Sequence, residues 1–582
     1  MYKKDSSIVE KTLSFLDKSQ KLQGIKLIFL MLLSTIAELF GLSLLIVVLG
    51  YLLGTNSEIT SNLPVESFIS FLGLGNDQLI VGFLIIFSVI FSIKLLLLIT
   101  TSWVESRYIA TFKKKLSDNL FSNFLNRETS SLLKKNSSEY FRNFTTEIDW
   151  TSRFFSCAIK VILDLIIVIA LFGFLLFFDP ITSASVLLTL SILTVVYYFS
   201  IKDILLKWGK KGLYNRQKRL QFVSEGFAAI KYIKILAKEK FFFDKFSLQN
   251  TILADLSFKI NFAQSLPKHI LEYFLFITIL VLLLILFQKN YSYSEIITIL
   301  SVYTITAFRM IPSVNRIWGN AQAMRVSYPS LDRIFLESQT PVKKKKEKLE
   351  NFTFKREIKI DIKSFFYKNK RKFNLKNVLI KLKKNSKLGI IGPSGSGKST
   401  LIDIICGFIK CNKGDVYIDG QSISNNLEGW QKNIGYIPQK VVILENTLRE
   451  NILFGLNKKK ISDKKIIEII KKVNLYKFFK KLPHGLNEVI KQEGLNVSGG
   501  EMQRIGIARA LMNNPEIIIL DEATSALDSF TENNILKEIN LLNKTIIFVS
   551  HRINSLKFCD KVYNIKDNSV KNFSEISRIL KI

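Results

Sequence analysis

The run Gly392-Pro393-Ser394-Gly395-Ser396-Gly397-Lys398-Ser399-Thr400 fits the spacing G-x-x-x-x-G-K-[ST]. Glycine at these positions lets the backbone curl until several N–H groups aim at one anion, and a helix starting there adds its dipole. An apolar run at 388–391 precedes the loop and a helical pattern at 400–409 follows it, the strand–loop–helix setting that phosphate binding requires. Lys398 is then placed to bridge outer phosphates, and the Ser399 hydroxyl to hold Mg²⁺. Farther along, Ile517 to Leu520 reads as a buried strand that delivers Asp521 and Glu522 at its carboxyl end. Asp521 is expected to organise the Mg²⁺ shell. Glu522 is expected to polarise the water that attacks a γ-phosphate, work that is mainly positioning. The two motifs together point to ATP as cofactor and to its hydrolysis.

The rest of the chain must hold this chemistry in place. At 582 residues it is too long for one soluble domain, and its 48% hydrophobic content is concentrated between about 20 and 320. Apolar stretches at 22–53, 79–104, 155–178, 181–200, 267–287 and 294–317 are each long enough to cross a bilayer. The expected fold class is thus a six-span α-helical membrane domain followed by an α/β phosphate-loop domain. Boundaries fall at 1–335 for the first, 336–352 for a lysine-rich linker and 353–582 for the second. Net charge is +34, but lysine is scattered along the chain rather than patched, so a nucleic-acid partner is not expected. The four cysteines show no metal spacing and no disulfide framework, and no cleavable signal is expected.

Lysine and arginine crowd the connections at 105–154 and 201–266, whereas 54–78 and 179–181 contain none. By the positive-inside rule both termini face the cytoplasm, and the two basic connections are long enough for helices to continue well below the membrane. Within 54–78, Val65, Phe68, Ile69 and Leu72 share one helical face behind Pro64. This predicts a short amphipathic helix, either lying on the outer membrane surface or packed over the span ends.

Further motifs give a resemblance to the ATP-binding cassette (ABC) transporters. Val497-Ser498-Gly499-Gly500-Glu501 resembles that family's LSGGQ signature, with Glu501 standing where glutamine is usual. Gln439 lies in a Q-loop-like Tyr436-Ile437-Pro438-Gln439, Asp528 ends a D-loop-like Ser525-Ala526-Leu527-Asp528, and His551 matches the switch histidine. Tyr367 takes the place of the aromatic that stacks on adenine. The resemblance implies that Gly392, Ser394, Gly395, Gly397, Lys398, Ser399 and Thr400 of one chain bind ATP. Ser498, Gly499, Gly500 and Asp528 of a second chain would complete the site. Ser399, Gln439 and Asp521 are implied at Mg²⁺, and Glu522, His551 and Gln439 in catalysis. One cassette and six spans imply pairing with a second chain, and because both Glu522 and His551 are present a homodimer is the first choice over a heterodimer. The segments 138–149 and 225–246 look like the coupling regions of exporter-type members, and 491–495 keeps little of the family's usual wording upstream of the signature.

The substrate is argued from basic residues inside apolar stretches. Lys94, Lys268, Arg309 and Arg316 are costly there and could ring one anion-binding cavity. They could instead snorkel to headgroups, or pair with the acids Glu38, Asp164 and Glu272. The segment 308–317 resembles the sixth span of bacterial lipid-linked oligosaccharide flippases. That resemblance implies an ATP-driven flippase in the bacterial cytoplasmic membrane, moving a polyprenyl-pyrophosphate-linked glycan to the outer leaflet. A drug, lipid or peptide exporter is the competing reading.

Overall fold

The structure is a computed structural model. It describes residues 7–52, 76–132, 137–178, 180–288, 293–340, 353–367, 370–457, 461–491, 497–524, 528–550, 556–566 and 569–572. The outer helix expected near 64–73, the centre of the linker and His551 lie outside these residues. The chain divides into two units: residues 1–127 with 131–343, and residues 344–582 with 128–130.

Among the described residues the first unit contains six long helices: α1 (Lys18–Leu52), α2 (Asn76–Leu125), α3 (Ile148–Phe178), α4 (Pro180–Ala228), α5 (Glu239–Gln288) and α6 (Tyr293–Ser338). At 1.5 Å per residue, the 50 residues of α2 and α5 each extend about 75 Å, more than twice a hydrocarbon core. In α2 and α5 the apolar stretches thus continue as helix into the basic segments that begin at 105 and end at 266. Among the described residues, Lys18–Gly41, Ile85–Leu125, Glu139–Phe177 and Glu239–Gln288 are long and apolar enough to cross a membrane. The other two expected spans fall within α4 and α6. Side chains such as Phe276, Leu280 and Leu284 on α5 remain exposed, a face suited to hydrocarbon rather than water. Inside, Phe112, Leu116 and Leu120 of α2 meet Phe154 and Phe155 of α3 and Leu331 and Ile334 of α6.

A proline interrupts α5 at Pro267. Proline has no N–H, so the carbonyl four residues earlier, on Ala263, loses its helical partner. The Tyr197 hydroxyl of α4 donates to that carbonyl at 2.8 Å, and the Tyr197 ring lies 4.8 Å from the Trp318 ring of α6. The freed acceptor is therefore answered by a neighbouring helix.

The connection between α2 and α3 is not one helix. A short helix, Ser137–Arg142, passes into a π turn, Asn143–Glu147, before α3 begins. Glu147 there is fully buried, 3.6 Å from Arg142 and 3.7 Å from Arg216 of α4. Arg216 also stacks on the Trp150 ring at 4.4 Å. Next to this group, Arg127 donates to Glu337 at 2.7 Å and Asn143 donates to Glu337 at 3.3 Å. The second basic connection likewise breaks into a short helix, Ile230–Ile235, between α4 and α5.

Among the described residues the second unit has three sheets. In the four-stranded one, order β2-β1-β4-β5, β1 (Glu357–Tyr367) lies between β2 (Lys370–Lys383) and β4 (Lys413–Ile418), with β5 (Gln421–Ser422) at the edge. Period-two alternation in β1 buries Ile358, Ile360 and Ile362, and past a register shift between Ile362 and Ser364 the buried position moves to Phe365. The six-stranded sheet has the order β12-β11-β3-β10-β9-β6. Its strands are β3 (Lys387–Ile391), β6 (Ile434–Ile437), β9 (Ile517–Asp521), β10 (Thr545–Val549), β11 (Lys561–Lys566) and β12 (Ser569–Asn572). All its pairings are parallel except β11 with β12. Strands β9 and β10 are buried almost throughout, as the continuous apolar runs require of strands covered on both faces. A small pair, β7 (Asn446–Thr447) and β8 (Val489–Ile490), stands apart.

Glu147→Ala leaves two guanidiniums buried without their carboxylate, a loss of about 3 kcal/mol or more. The detergent-purified variant is expected to unfold at a clearly lower temperature; an unchanged melting curve refutes the cluster's structural weight.

Candidate functional site

Parallel strands present their carboxyl ends at one edge, and that edge of the six-stranded sheet gathers the expected phosphate site. The loop from β3 runs into α7 (Lys398–Ile405). Gly392 has φ 152°, and a Cβ there would lie 2.5 Å from the Ile565 carbonyl oxygen and 2.7 Å from Ser396 Oγ. Gly397 caps α7 at φ 106° with no side-chain cap, so the first N–H groups of the helix face outward for an anion. Ser394, Gly395 and Ser399 are exposed, whereas Lys398 and Thr400 are buried.

The Lys398 ammonium donates to the carbonyls of Gly392 (2.9 Å) and Pro393 (3.0 Å), lying across its own loop. Burial pushes its pKa down, against the opposing pull of the Glu522 and Asp521 charges. Asp521 closes β9 and accepts from the Tyr436 hydroxyl at 3.3 Å. Burial raises the Asp521 pKa, and Glu522 adds to this by charge repulsion. Glu522 sits one residue beyond the strand at φ 49°, with its N–H donating to the Val549 carbonyl at 3.0 Å. Its carboxylate accepts from Gln439 Nε2 at 2.7 Å. The pairing of Ile437 with Leu520 in the parallel register explains this meeting, since Gln439 and Glu522 each lie two residues past that pair.

Tyr367 ends β1 with its hydroxyl 3.3 Å from Thr400 Oγ1, beside the first turn of α7. Ser399, Asp521 and the side-chain amide oxygen of Gln439 would supply the hard oxygen donors that suit Mg²⁺. The set is too small for an all-protein cage, as expected of an ion that shares its ligands with phosphates and water.

Ser498 caps α8 (Gly499–Met512). Its Oγ accepts from the Glu501 N–H at 3.3 Å. The Glu501 carboxylate in turn accepts from the Ser498 N–H at 2.7 Å and from its hydroxyl at 2.8 Å. The sequence carries this capping box as S-x-x-E over 498–501, the same Glu501 that departs from the usual glutamine. Asp528 caps the helix Ser529–Asn540, accepting from the Thr531 N–H at 2.9 Å. Sequence reasoning also missed Tyr436 as the partner of Asp521.

In the first unit Lys94, Lys268, Arg309 and Arg316 each have an acidic neighbour. Lys94 lies 3.0 Å from Glu38 with its side chain only 7% exposed, and Arg309 approaches the same carboxylate at 3.5 Å with 43% exposed. Arg316 donates to Asp164 at 2.7 and 2.9 Å. Lys268 stands 3.9 Å from Glu272, both exposed. Glu38, Lys94 and Arg309 thus bring α1, α2 and α6 together around one carboxylate and two cations. Of the alternatives considered from sequence, the structure contains the acid pairs.

Long apolar helices joined to a phosphate-loop domain with a separate serine-capped glycine turn define a nucleotide-driven membrane machine. Comparison with known proteins agrees. The ABC transporter transmembrane region matches residues 23–310, and the ABC transporter domain matches 375–525. This chain belongs to the ABC transporters, with the exporter-type membrane region joined to the ATP-hydrolysing domain. The ATP-dependent lipid A-core flippase of Wigglesworthia glossinidia brevipalpis is 28% identical over 497 residues, 82% of each chain. The mitochondrial iron-sulfur clusters transporter of Debaryomyces hansenii is 40% identical over 190 residues, 32% of this chain and 27% of that one. An export ATP-binding/permease protein of Rickettsia typhi is 42% identical, the match spanning a third (33%) of its length. The solved structure of a bacterial Atm1-family ABC exporter with ATP bound superposes with TM-score 0.76 at 19% identity, covering 97% of this chain and 96% of that one.

On α7, burial and the nearby Asp521 push the Asp403 pKa from 3.8 up to about 6. The folded chain then holds this proton more tightly than the unfolded chain. Stability attributable to the group falls as pH rises through that window and is lowest above it. Asp403→Asn is expected to raise the melting temperature at pH 8 without added nucleotide, with the gain disappearing near pH 4. A gain independent of pH refutes this assignment.

Proposed function

We propose that this chain is half of an ATP-driven flippase or exporter that works as a homodimer. It would move an amphipathic anionic lipid-linked molecule from the inner to the outer leaflet of a bacterial cytoplasmic membrane. The carrying observation is the Gln439–Glu522 hydrogen bond at the carboxyl edge of β9, in the same site as Lys398 and Asp521. In this reading Lys398 moves from its loop carbonyls to the outer phosphates, and Tyr367 supports the adenine. Glu522, oriented by Gln439, aims the attacking water, and His551 meets the γ-phosphate. Mg²⁺, held by Ser399, Gln439 and Asp521, would neutralise charge on the phosphates. Ser498, Gly499, Gly500 and Asp528 of the second copy close over the nucleotide, and the connections at 138–149 and 225–246 carry the motion to six spans. The domain limits 1–335, 336–352 and 353–582 are part of the same proposal.

The substrate class is supported by the Lys94–Glu38–Arg309 group, which keeps one net positive charge, and by similarity to a lipid A-core flippase. A polyprenyl-pyrophosphate-linked oligosaccharide fits this class. The acid pairing of the bases favours a second reading, a drug, lipid or peptide exporter whose cargo needs little cation contact. Stimulation of ATPase activity by pyrophosphate-linked lipid, against stimulation by hydrophobic cations, separates the two.

Glu522→Gln is expected to slow ATP hydrolysis roughly 100-fold or more while leaving ATP binding intact, measured in proteoliposomes. Wild-type-like turnover would refute the role of Glu522. Replacing Arg309 and Arg316 by Gln together is expected to abolish flipping of a fluorescent lipid-linked oligosaccharide and to spare hydrolysis. Flipping that persists sinks the anionic substrate.

A further inference from the structure

We propose that Glu501 is a built-in anion that competes with nucleotide for the signature serine, setting a high ATP requirement for closure. This rests on the reading that Ser498 of one copy covers the ATP held by the other. Glu501 is a positioning residue here, acting through Ser498.

The Ser498 hydroxyl has one proton to donate, and the Glu501 carboxylate takes it at 2.8 Å. The same carboxylate oxygen takes the Ser498 N–H at 2.7 Å, so two donors at the start of α8 already face a negative charge. A helix N-terminus favours anions, and a carboxylate placed there satisfies part of the demand that a phosphate would otherwise meet. A γ-phosphate oxygen accepting from Ser498 Oγ would have to displace the Glu501 bond. It would then sit within about 5 Å of the carboxylate, at a range where like charges repel strongly at a partly dry interface.

Glutamine at 501 would offer a neutral carbonyl oxygen to the same two donors. It keeps the capping box and removes only the charge, so the substitution separates electrostatics from folding. Glu501→Ala removes both the charge and the return half of the cap. The two variants should therefore share a lowered ATP requirement and differ in thermal stability.

The experiment measures ATPase activity of the full chain in proteoliposomes against ATP concentration, at low and high ionic strength, with melting curves for every variant. Glu501→Gln is expected to lower the ATP KM roughly tenfold at low salt, with kcat changed less than about threefold and a melting temperature lowered less than in Glu501→Ala. The KM gap to the parent narrows at high salt, because screening weakens the repulsion that the parent carries. Ser498→Ala serves as the control for the underlying reading and should lose most activity. If Ser498→Ala is inactive but Glu501→Gln keeps the parental KM at low salt, the proposed competition is overturned. If Ser498→Ala hydrolyses ATP at the parental rate and KM, the covering role of Ser498 fails, and this inference fails with it.

Discussion

Charge removed from water must be answered within a few ångströms, and that constraint organises both units of this chain. In the helical unit, Glu147 lies between two guanidiniums, Glu337 meets Arg127 and Asn143, and Glu38 draws Lys94 and Arg309 to itself. Each group joins helices far apart in sequence. In the nucleotide unit, Lys398 folds back on its own loop and Gln439 holds Glu522. Here the partners are neutral, loop carbonyls for Lys398 and a side-chain amide for Glu522. The first kind of pairing fixes an architecture, and the second keeps a site ready.

The same division explains what could be read from the sequence. Strand–loop–helix order around Gly392 and the apolar run before Asp521 were legible because each depends on local pattern alone. The length of α2, α4 and α5 was legible from basic connections that retain helical character. Partner choice was not. Glu38, Asp164 and Glu272 could be named as candidate acids, but spacing along one helix does not say which base another helix brings alongside. Tyr436 escaped notice because its link to Asp521 arises from neighbouring parallel strands 85 residues apart. The buried Glu147 was hidden for a similar reason, since a charged stretch in a basic connection ordinarily reads as solvated surface.

Local rules and functional demands meet at the signature turn. A helix starting at Gly499 needs a cap, and Ser498 with Glu501 provides a complete one. The donors that stabilise the helix start are also those a phosphate would seek. Among the described residues of this unit, two helix starts thus differ in character: α7, capped by a bare glycine, and α8, already furnished with a carboxylate.

Pro267 breaks the hydrogen-bond ladder of α5, and a helix so interrupted would ordinarily be a soft point. Because Tyr197 supplies the missing donor from α4, the weak link of one helix becomes its fastening to the next. The two rods are pinned side by side at Pro267, so leverage applied at one end of either is shared by both and arrives at the opposite end as a paired tilt rather than a solitary flex.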